Sequence, residues 1–378
     1  MSHATSVISN SRKSLLLGTS ALVCLALAGP VMADDFVITS SDGSTNGNID
    51  AGAIDGSDTV SLGVALTTTA TDNGINTINI NNVDDGNTVT VTETGSIETT
   101  GVGAFGIYNG GDENITTVSG SIKTTEAGAF GIANYKFENG ASLSSDRNAT
   151  TVSGSIETAG DEAVGIINIG DENTTTVSDT GSITTGDVIA GTGNTAFGIY
   201  NVGDKNITTV SDTGSIETAG DDAYGIFNVG NGNETTVSGT GSIETAGDEA
   251  YGIANGGNKN ITTVSGSIET AWDDAYGIWN IGVGNKTTVS GSIKTGDVVA
   301  GTGNDAYGIY NVGDDNTTTV SGSITTTGEG AYGIYNEGDN NETTVSGSIT
   351  TGGVDAYGIA NQGHKNITTI AGVISTKS

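Results

Sequence analysis

Apolar and polar residues alternate in three short segments that recur along most of the chain. One repeat consists of Ala-Tyr-Gly-Ile-Tyr-Asn at 331–336, Thr-Thr-Val-Ser at 343–346 and Ser-Ile-Thr-Thr at 348–351. Each segment is rich in β-branched or aromatic residues, and Gly, Asp and Asn lie between the segments. This pattern predicts three short strands in each repeat, joined by turns.

The first segment occurs ten times, and its glycines are spaced 25 to 34 residues apart. They are Gly106, Gly131, Gly165, Gly198, Gly225, Gly252, Gly277, Gly308, Gly333 and Gly358. Extra residues fall at predicted turns, as at Asp179, Asp212 and Gly239. Such a period is typical of a solenoid, in which each coil buries its apolar side chains against its neighbours. The sequence therefore predicts an all-β solenoid of about ten to eleven coils of about 25 residues.

Comparison of the ten repeats predicts which side chains face inward. Ile is invariant in the first segment, the position two before it is large, and the Asn two after it is invariant. The position after Ile varies from Ala to Trp, which a close-packed core would not accept. We therefore expect the large residue, Ile and Asn to face inward, together with Val345 and Ile349. The Ala, the Gly and the residue after Ile are expected to face outward, and the Asn amides to form a ladder.

Residues 1–33 are predicted to be a secretory signal peptide. Arg12 and Lys13 precede an apolar run, and Val31-Met32-Ala33 places small residues at the cleavage site. An uncleaved membrane helix is the alternative, for which the apolar run is short. Cleavage would remove Cys24, the only cysteine, so the cohesion of the mature chain is expected to come from repetition.

The remaining chain divides into an N-terminal cap and a repeat domain. Residues 34–73 show no clear repeat and are expected to cap the first coil. Residues 74–378 form the predicted repeat domain, with a degenerate first coil beginning at Gly74-Ile75-Asn76. After signal cleavage, nine Lys and Arg face 44 Asp and Glu, a net charge of −35. This charge disfavours nucleic acid and anionic lipid as partners. The mature chain is not expected to span a membrane.

Two motifs resemble the passenger domain of Gram-negative autotransporters. They are Ala-Tyr-Gly-Ile-Tyr-Asn-x-Gly and Thr-Val-Ser-Gly-Ser-Ile-Thr-Thr, which recur over about residues 74–378. The resemblance implies a right-handed parallel β-helix that is secreted or displayed at the outer membrane. It also implies a C-terminal β-barrel translocator, which this sequence does not contain. We therefore expect the chain to be a fragment, or to be exported by another route.

Few residues are suited to catalysis or to holding a metal. The mature chain has no thiol and only His364 as histidine, which disfavours a serine triad and zinc. Adjacent carboxylates such as Asp112-Glu113 could serve glycoside hydrolysis or bind Ca²⁺, but they recur as turn residues in coil after coil. The Asn-x-Thr triplets match the N-glycosylation acceptor, although Asn also suits a left-handed turn there.

One outward column is a candidate contact surface. Its aromatic members are Tyr200, Phe227, Trp279, Tyr310 and Tyr335. Exposed rings in a row indicate contact with a partner such as a host-cell glycan or matrix protein, and stacking along the solenoid is the alternative. We expect a structural or adhesive protein with no enzymatic activity and no cofactor. The alternatives are a polysaccharide-cleaving β-helix enzyme and an ice- or mineral-binding solenoid, which needs two outward Thr columns.

Overall fold

Strands and turns account for all the secondary structure that the computed structural model describes. The described residues are 14–16, 35–38, 49–50, 59–69, 78–82, 85–138, 141–186, 195–296 and 306–377. Their strands form three parallel sheets stacked as a β-solenoid of about ten turns of about 27 residues. The predicted all-β solenoid is therefore confirmed.

Each turn of the solenoid contributes one strand to each of three sheets. The threonine sheet consists of Ser14–Leu16, Asp35–Ile38, Thr59–Leu62, Thr88–Val91, Ile115–Val118, Ala149–Val152, Thr174–Val177, Ile207–Val210, Glu234–Val237, Ile261–Val264, Lys286–Val289, Thr317–Val320, Glu342–Val345 and Ile367–Ile370. The serine sheet consists of Ala65–Thr69, Ser96–Thr100, Ser121–Thr125, Ser155–Thr158, Ser182–Thr185, Ser215–Ala219, Ser242–Ala246, Ser267–Ala271, Ser292–Thr295, Ser323–Thr327, Ser348–Gly352 and Val373–Lys377. The aromatic sheet consists of Ile49–Asp50, Ile78–Asn82, Phe105–Asn109, Phe130–Asn134, Val164–Ile169, Phe197–Val202, Tyr224–Val229, Tyr251–Gly256, Tyr276–Ile281, Tyr307–Val312, Tyr332–Glu337 and Tyr357–Gln362. A separate antiparallel hairpin joins Lys136–Glu138 to Ala141–Leu143.

The core is built from three apolar columns, one from each sheet. In the aromatic sheet Ile253 pairs with Ile278, in the threonine sheet Val264 pairs with Val289, and equivalent residues pair throughout. The serine sheet contributes the column that contains Ile268, which is 1% exposed. Because identical side chains stack from coil to coil, each coil buries its apolar groups only when its neighbours are present. The inward placement predicted for these Ile and Val residues, including Val345 and Ile349, is confirmed.

The prediction that the large residue before Ile faces inward is wrong. A Cβ added to Gly252 would lie 2.4 Å from Cγ2 of Ile268, so this glycine faces the interior. Ile253, the next residue, also faces inward, and the strict alternation is broken between them. The ring of Tyr251 consequently lies outside the core and stacks on Tyr276. The Ala before it, predicted to face outward, is also buried, as Ala250 shows.

The invariant Asn residues form the expected ladder inside the aromatic sheet. Nδ2 of Asn228 donates to Oδ1 of Asn255 at 2.8 Å, and the same bond recurs along the column. From Asn109 to Asn336 each Nδ2 also donates to a buried threonine of the same coil, as Asn255 does to Thr262 at 3.0 Å. These bonds satisfy amides that would otherwise be costly to bury.

The first coils differ in detail from the prediction. Register places Ile80 beside Ile107 and Asn82 beside Asn109, so residues 78–82 correspond to the first segment. Gly74-Ile75-Asn76, which was predicted to fill this role, lies outside the described residues. Ile80 and Asn82 are two residues apart, as the Ile and Asn of the first segment are, and the strand pairs in the register that aligns them with Ile107 and Asn109.

The predicted signal peptide and cap are described only in part. Within residues 1–33, the strand Ser14–Leu16 pairs in parallel with Asp35–Ile38, and the other residues lie outside the described ones. Strands between residues 35 and 69 continue the three sheets, as Asp35–Ile38 pairs with Thr59–Leu62. The boundaries at 33 and 73 stay predictions.

Candidate functional site

Two adjacent columns of side chains form an aromatic ridge along the outside of the aromatic sheet. The first column consists of Phe105, Phe130, Val164, Phe197, Tyr224, Tyr251, Tyr276, Tyr307, Tyr332 and Tyr357. The second consists of Tyr108, Ala133, Ile167, Tyr200, Phe227, Ala254, Trp279, Tyr310, Tyr335 and Ala360. The sequence analysis assigned the first column to the core and predicted that only the second column faces outward. The repeated tyrosines were the signal that it missed, because a buried phenol needs a hydrogen-bond partner that an Ile and Val core does not supply.

The first column contains a continuous stack of seven rings from Phe197 to Tyr357. Consecutive ring centroids are 4.6 to 5.3 Å apart, with interplanar angles of 4 to 13°. Parallel in-register strands place equivalent side chains about 4.8 Å apart, which is close to the stacking distance of aromatic rings. The ring faces are therefore occupied by neighbouring rings.

The five rings predicted to form an outward column do lie outside the core. Each is partly buried, because it packs against rings of the first column. Four of the five stack on such a ring, whereas Tyr335 is tilted by 59° relative to Tyr332. The ring centroids of Tyr200 and Phe197 are 4.8 Å apart, and those of Tyr310 and Tyr307 are 5.0 Å apart. Within this column Ala254 separates Phe227 from Trp279. The alternative prediction, that these rings stack along the solenoid, thus agrees with most of the ring contacts. The ridge presents mainly ring edges to solvent.

Trp279 covers the gap that Ala254 leaves in the second column. Its ring leans onto Tyr251, with a centroid distance of 5.0 Å, and Ala254 is fully buried. The indole Nε1 has no hydrogen-bond partner among the described residues. Burial between two tyrosines raises the pKa of Tyr251 above its ordinary value.

Polar groups fix the C-terminal part of the ridge. The hydroxyl of Tyr310 donates to Oε2 of Glu337 at 2.7 Å, and that of Tyr335 donates to Oε1 of Gln362 at 2.5 Å. Burial, followed by the hydrogen bond to Glu337, raises the pKa of Tyr310. The acceptors come from the next coil, so each of these rings contacts a first-column ring of its own coil and bonds a side chain of the next coil.

The adjacent carboxylates predicted as turn residues occupy turns at two corners of the coil. Asp112-Glu113 and Asp171-Glu172 lie at the corner between the aromatic and threonine sheets, and Asp221-Asp222 lies between the serine and aromatic sheets. Oδ1 of Asp112 accepts the backbone N–H of Asp146, and Oδ1 of Asp171 accepts that of Asp204 at 2.8 Å. The second carboxylate has a left-handed backbone, with φ of 60° at Glu113. The pairs at the corner between the aromatic and threonine sheets thus bond the backbone of the neighbouring turn. No cluster of three or more His, Cys, Asp or Glu in the described residues is placed to hold a metal ion.

The Asn-x-Thr triplets from Asn114 to Asn341 have a buried Asn, which is not accessible for N-glycosylation in the folded coils, and Asn366 in the last described coil is half-buried. Asn206, Asn233 and Asn260 are 1% exposed, and each Oδ1 accepts the backbone N–H of the preceding coil's Asn. His364 is exposed at a corner, where its backbone N–H bonds Oδ1 of Asp339 at 2.7 Å. Both observations agree with a structural role in turns.

The threonine sheet presents one outward threonine column. Thr262 faces inward with Val264, whereas Thr263 faces outward, and position 261 varies between coils. The described residues therefore form a single outward threonine column on this sheet, as the alternation predicted. The pair of columns that would favour ice or mineral binding is not formed there.

A groove lies at the corner between the threonine and serine sheets. It is shallow and open, with a volume of about 910 Å³, and its lining residues come from six successive coils. Four of its corners are the Ser-Gly-Ser segments 265–267, 290–292, 321–323 and 346–348, and the fifth is Ala-Gly-Val at 371–373. Gly239 and Thr240 line its other end. Sequence reasoning noted these segments only as part of a motif.

Comparisons with known proteins leave the family open. No protein-family model and no curated protein matches this sequence. None of the described residues belongs to a helix long and apolar enough to cross a membrane. The class that the structure defines is a parallel β-solenoid.

Proposed function

We propose that the protein is a secreted or surface-displayed rod with a structural or adhesive role, equivalent to an autotransporter passenger domain. The signal-peptide pattern at residues 1–33 supports export, and the motif resemblance supports the outer membrane of a Gram-negative bacterium. Display there requires a translocator, encoded in the same chain or supplied by another protein. The partner would be a host-cell glycan or matrix protein.

The aromatic ridge is the observation that carries this proposal. Its first column repeats an aromatic ring in register over the seven coils from Phe197 to Tyr357, so an extended partner meets a similar group many times. Repeated weak contacts on one rigid rod add up through effective concentration. Ring edges are the groups offered to such a partner, because the hydroxyls of Tyr310 and Tyr335 already donate to Glu337 and Gln362 within the chain. The net charge of −33 keeps a rod with so many rings soluble and disfavours anionic partners.

Attachment of protein-coated beads to host cells and to matrix tests the proposal. The ridge variant replaces Tyr200, Phe227, Trp279, Tyr310 and Tyr335 by Leu, which keeps apolar bulk over the first column but removes the ring edges. A matched control replaces the outward threonines of the same coils by Ser, at Thr209, Thr236, Thr288, Thr319 and Thr344. Circular dichroism verifies that both variants keep the strand spectrum.

The proposal predicts that the ridge variant loses attachment and the threonine control keeps it. Undiminished attachment of a folded ridge variant would contradict an adhesive role for the ridge. Equal loss in both variants would also contradict it, because the ridge would then have no special part in attachment.

A further inference from the structure

Tyr310 and Tyr335 are adjacent rings in the second column of the aromatic ridge. Their strands pair in register, and the ring centroids are 5.1 Å apart with an interplanar angle of 57°. In the first column of the same two coils, Tyr307 and Tyr332 are nearly parallel, with an angle of 6°. The carbons beside a phenol oxygen lie on the ring edge, so a bond between two such carbons requires tilted rather than stacked rings. The tilted pair is therefore the better placed for such a bond.

Tyr335 meets no ring of its own column in the next coil. Its register partner there is Ala360. Tyr332, by contrast, lies between Tyr307 and Tyr357, and its ring centroid is 5.2 and 5.3 Å from theirs. A ring held between two others cannot turn without separating them, because closely packed groups leave no free volume. Tyr335 is thus better able than Tyr332 to adjust its tilt towards the preceding coil.

A carboxylate is placed to accept the hydroxyl proton of Tyr310. This hydroxyl donates to Oε2 of Glu337 at 2.7 Å, whereas the hydroxyl of Tyr335 donates to the amide oxygen of Gln362. A phenol that gives up an electron becomes strongly acidic and releases its proton, so a hydrogen-bonded base assists its oxidation. Tyr310 already has such a base in the next coil.

No sulfur-containing side chain beyond residue 33 competes for an oxidant. The one cysteine is Cys24, and the two methionines are Met1 and Met32. Thiolates and thioethers are the side chains that oxidants commonly attack. Beyond residue 33 the rings of Tyr and Trp are therefore the main oxidisable groups, and ten of the eleven tyrosines belong to the aromatic ridge. The same composition leaves the coils without a disulfide.

We propose that Tyr310 and Tyr335 are a site of oxidative cross-linking by hydrogen peroxide and a haem peroxidase. Each phenol gives up one electron and its hydroxyl proton, and the two phenoxyl radicals join through the ring carbons beside their oxygens. The hydrogens on these carbons then move to the oxygens, which restores both phenols. One molecule of hydrogen peroxide takes up the two electrons and two protons and leaves as two molecules of water. The new carbon–carbon bond joins two successive coils covalently, as a disulfide joins segments of many secreted proteins.

Treatment of the whole chain with hydrogen peroxide and a haem peroxidase, at low protein concentration, tests this site. Dityrosine fluorescence measures the yield, and mass spectrometry after cleavage at acidic residues locates the bond. Asp314, Asp315 and Glu329 lie between the two proposed partners, so a bond between them joins two different peptides. Tyr332 and Tyr335 have no acidic residue between them, so a bond within that pair stays inside one peptide.

A linked pair of peptides that contains Tyr310 and Tyr335 is expected from the monomeric chain, lighter by two hydrogens than the separate peptides. Tyr335→Phe keeps a ring at this position and is expected to lose the cross-link. The matched control Tyr332→Phe, in the same strand, is expected to keep it. Glu337→Gln retains a hydrogen-bond acceptor but removes the base, and is expected to slow cross-linking by about tenfold or more.

An unchanged yield in Tyr335→Phe would overturn the proposal. So would a bond that forms only between Tyr332 and Tyr335 or only between chains, or oxidation confined to Trp272 and Trp279. An unchanged rate in Glu337→Gln would contradict the role of that carboxylate. None of these results depends on attachment to cells, so the outcome is separate from that of the bead assay.

Discussion

Nδ2 of Asn255 donates a hydrogen bond to Oδ1 of Asn280 in the next coil, 2.8 Å away. The same Nδ2 reaches Oγ1 of Thr262, and Oδ1 of Asn255 accepts from Asn228. One amide thus links three coils while it lies almost wholly buried. Buried polar groups with every bond made specify one arrangement of their neighbours, so this ladder fixes the coil register as well as contributing stability.

Replacing Asn255 by Ala is expected to lower the free energy of unfolding by about 2 to 4 kcal/mol. The change removes the partner of Asn228 and leaves Oδ1 of Asn280 buried without a donor, which costs more than the lost bond itself. Urea unfolding followed by circular dichroism measures the effect. Thr263→Ala, at an outward position of the same coil, serves as control and should change stability by less than about 1 kcal/mol. Similar losses in both variants would contradict the role given to the ladder.

Two buried threonines of adjacent sheets are expected to respond in opposite ways to replacement by Val. Oγ1 of Thr270 has no hydrogen-bond partner among the described residues, whereas Oγ1 of Thr262 accepts from Asn255. Val has nearly the same shape without the hydroxyl. Thr270→Val should therefore raise the melting temperature, since an unsatisfied buried hydroxyl costs about 1 to 3 kcal/mol. Thr262→Val should lower it, and a rise in both variants would contradict the assigned bond.

Two glycines of one strand differ in how they would tolerate Ala. A Cβ at Gly252 would lie 2.4 Å from Cγ2 of Ile268 and 2.6 Å from the carbonyl oxygen of Gly277. A Cβ at Gly256 would have its nearest neighbour 3.7 Å away. Gly252→Ala is expected to destabilise the chain by about 3 kcal/mol, because overpacking separates the sheets. Gly256→Ala should change stability by about 0.5 kcal/mol. Equal melting temperatures would contradict the inward placement of the motif glycine.

Stability is expected to fall at alkaline pH. Burial raises the pKa of Tyr224 to about 12, and burial also raises that of Tyr135 to about 12. An unfolded tyrosine loses its proton near pH 10, so the folded chain holds more protons between about pH 10 and pH 12. The stabilisation from these groups is complete below pH 10 and is lost as the pH rises towards 12. Urea midpoints from pH 9 to pH 12 measure this slope, which should flatten when Tyr135 and Tyr224 are both replaced by Phe. An unchanged slope would show that other groups cause it.

Strand alternation predicted correctly that Ile253 faces inward, but it failed two residues earlier in the same strand. Alternation around Ile253 predicted that Tyr251 is inside, and the structure places Gly252 there instead. A single residue with no side chain allows two successive positions to face the core, because the Ile of the serine sheet fills the vacant space. This close approach is made by a residue of a neighbouring sheet, so the sequence of the strand alone does not predict it.

Repetition within the sequence was enough to determine the number of strands in each coil, the solenoid, the three apolar columns and the Asn ladder. Each of these depends on a residue meeting its own copy in the next coil, and the spacing of the repeats predicts that contact directly. The position of the aromatic ridge and the burial of the Asn-x-Thr residues were decided by the tertiary structure. The repeat spacing predicts which equivalent residues meet in successive coils, but it does not say whether they meet inside or outside the coil. That depends on contacts between different sheets, such as the approach of Ile268 to Gly252.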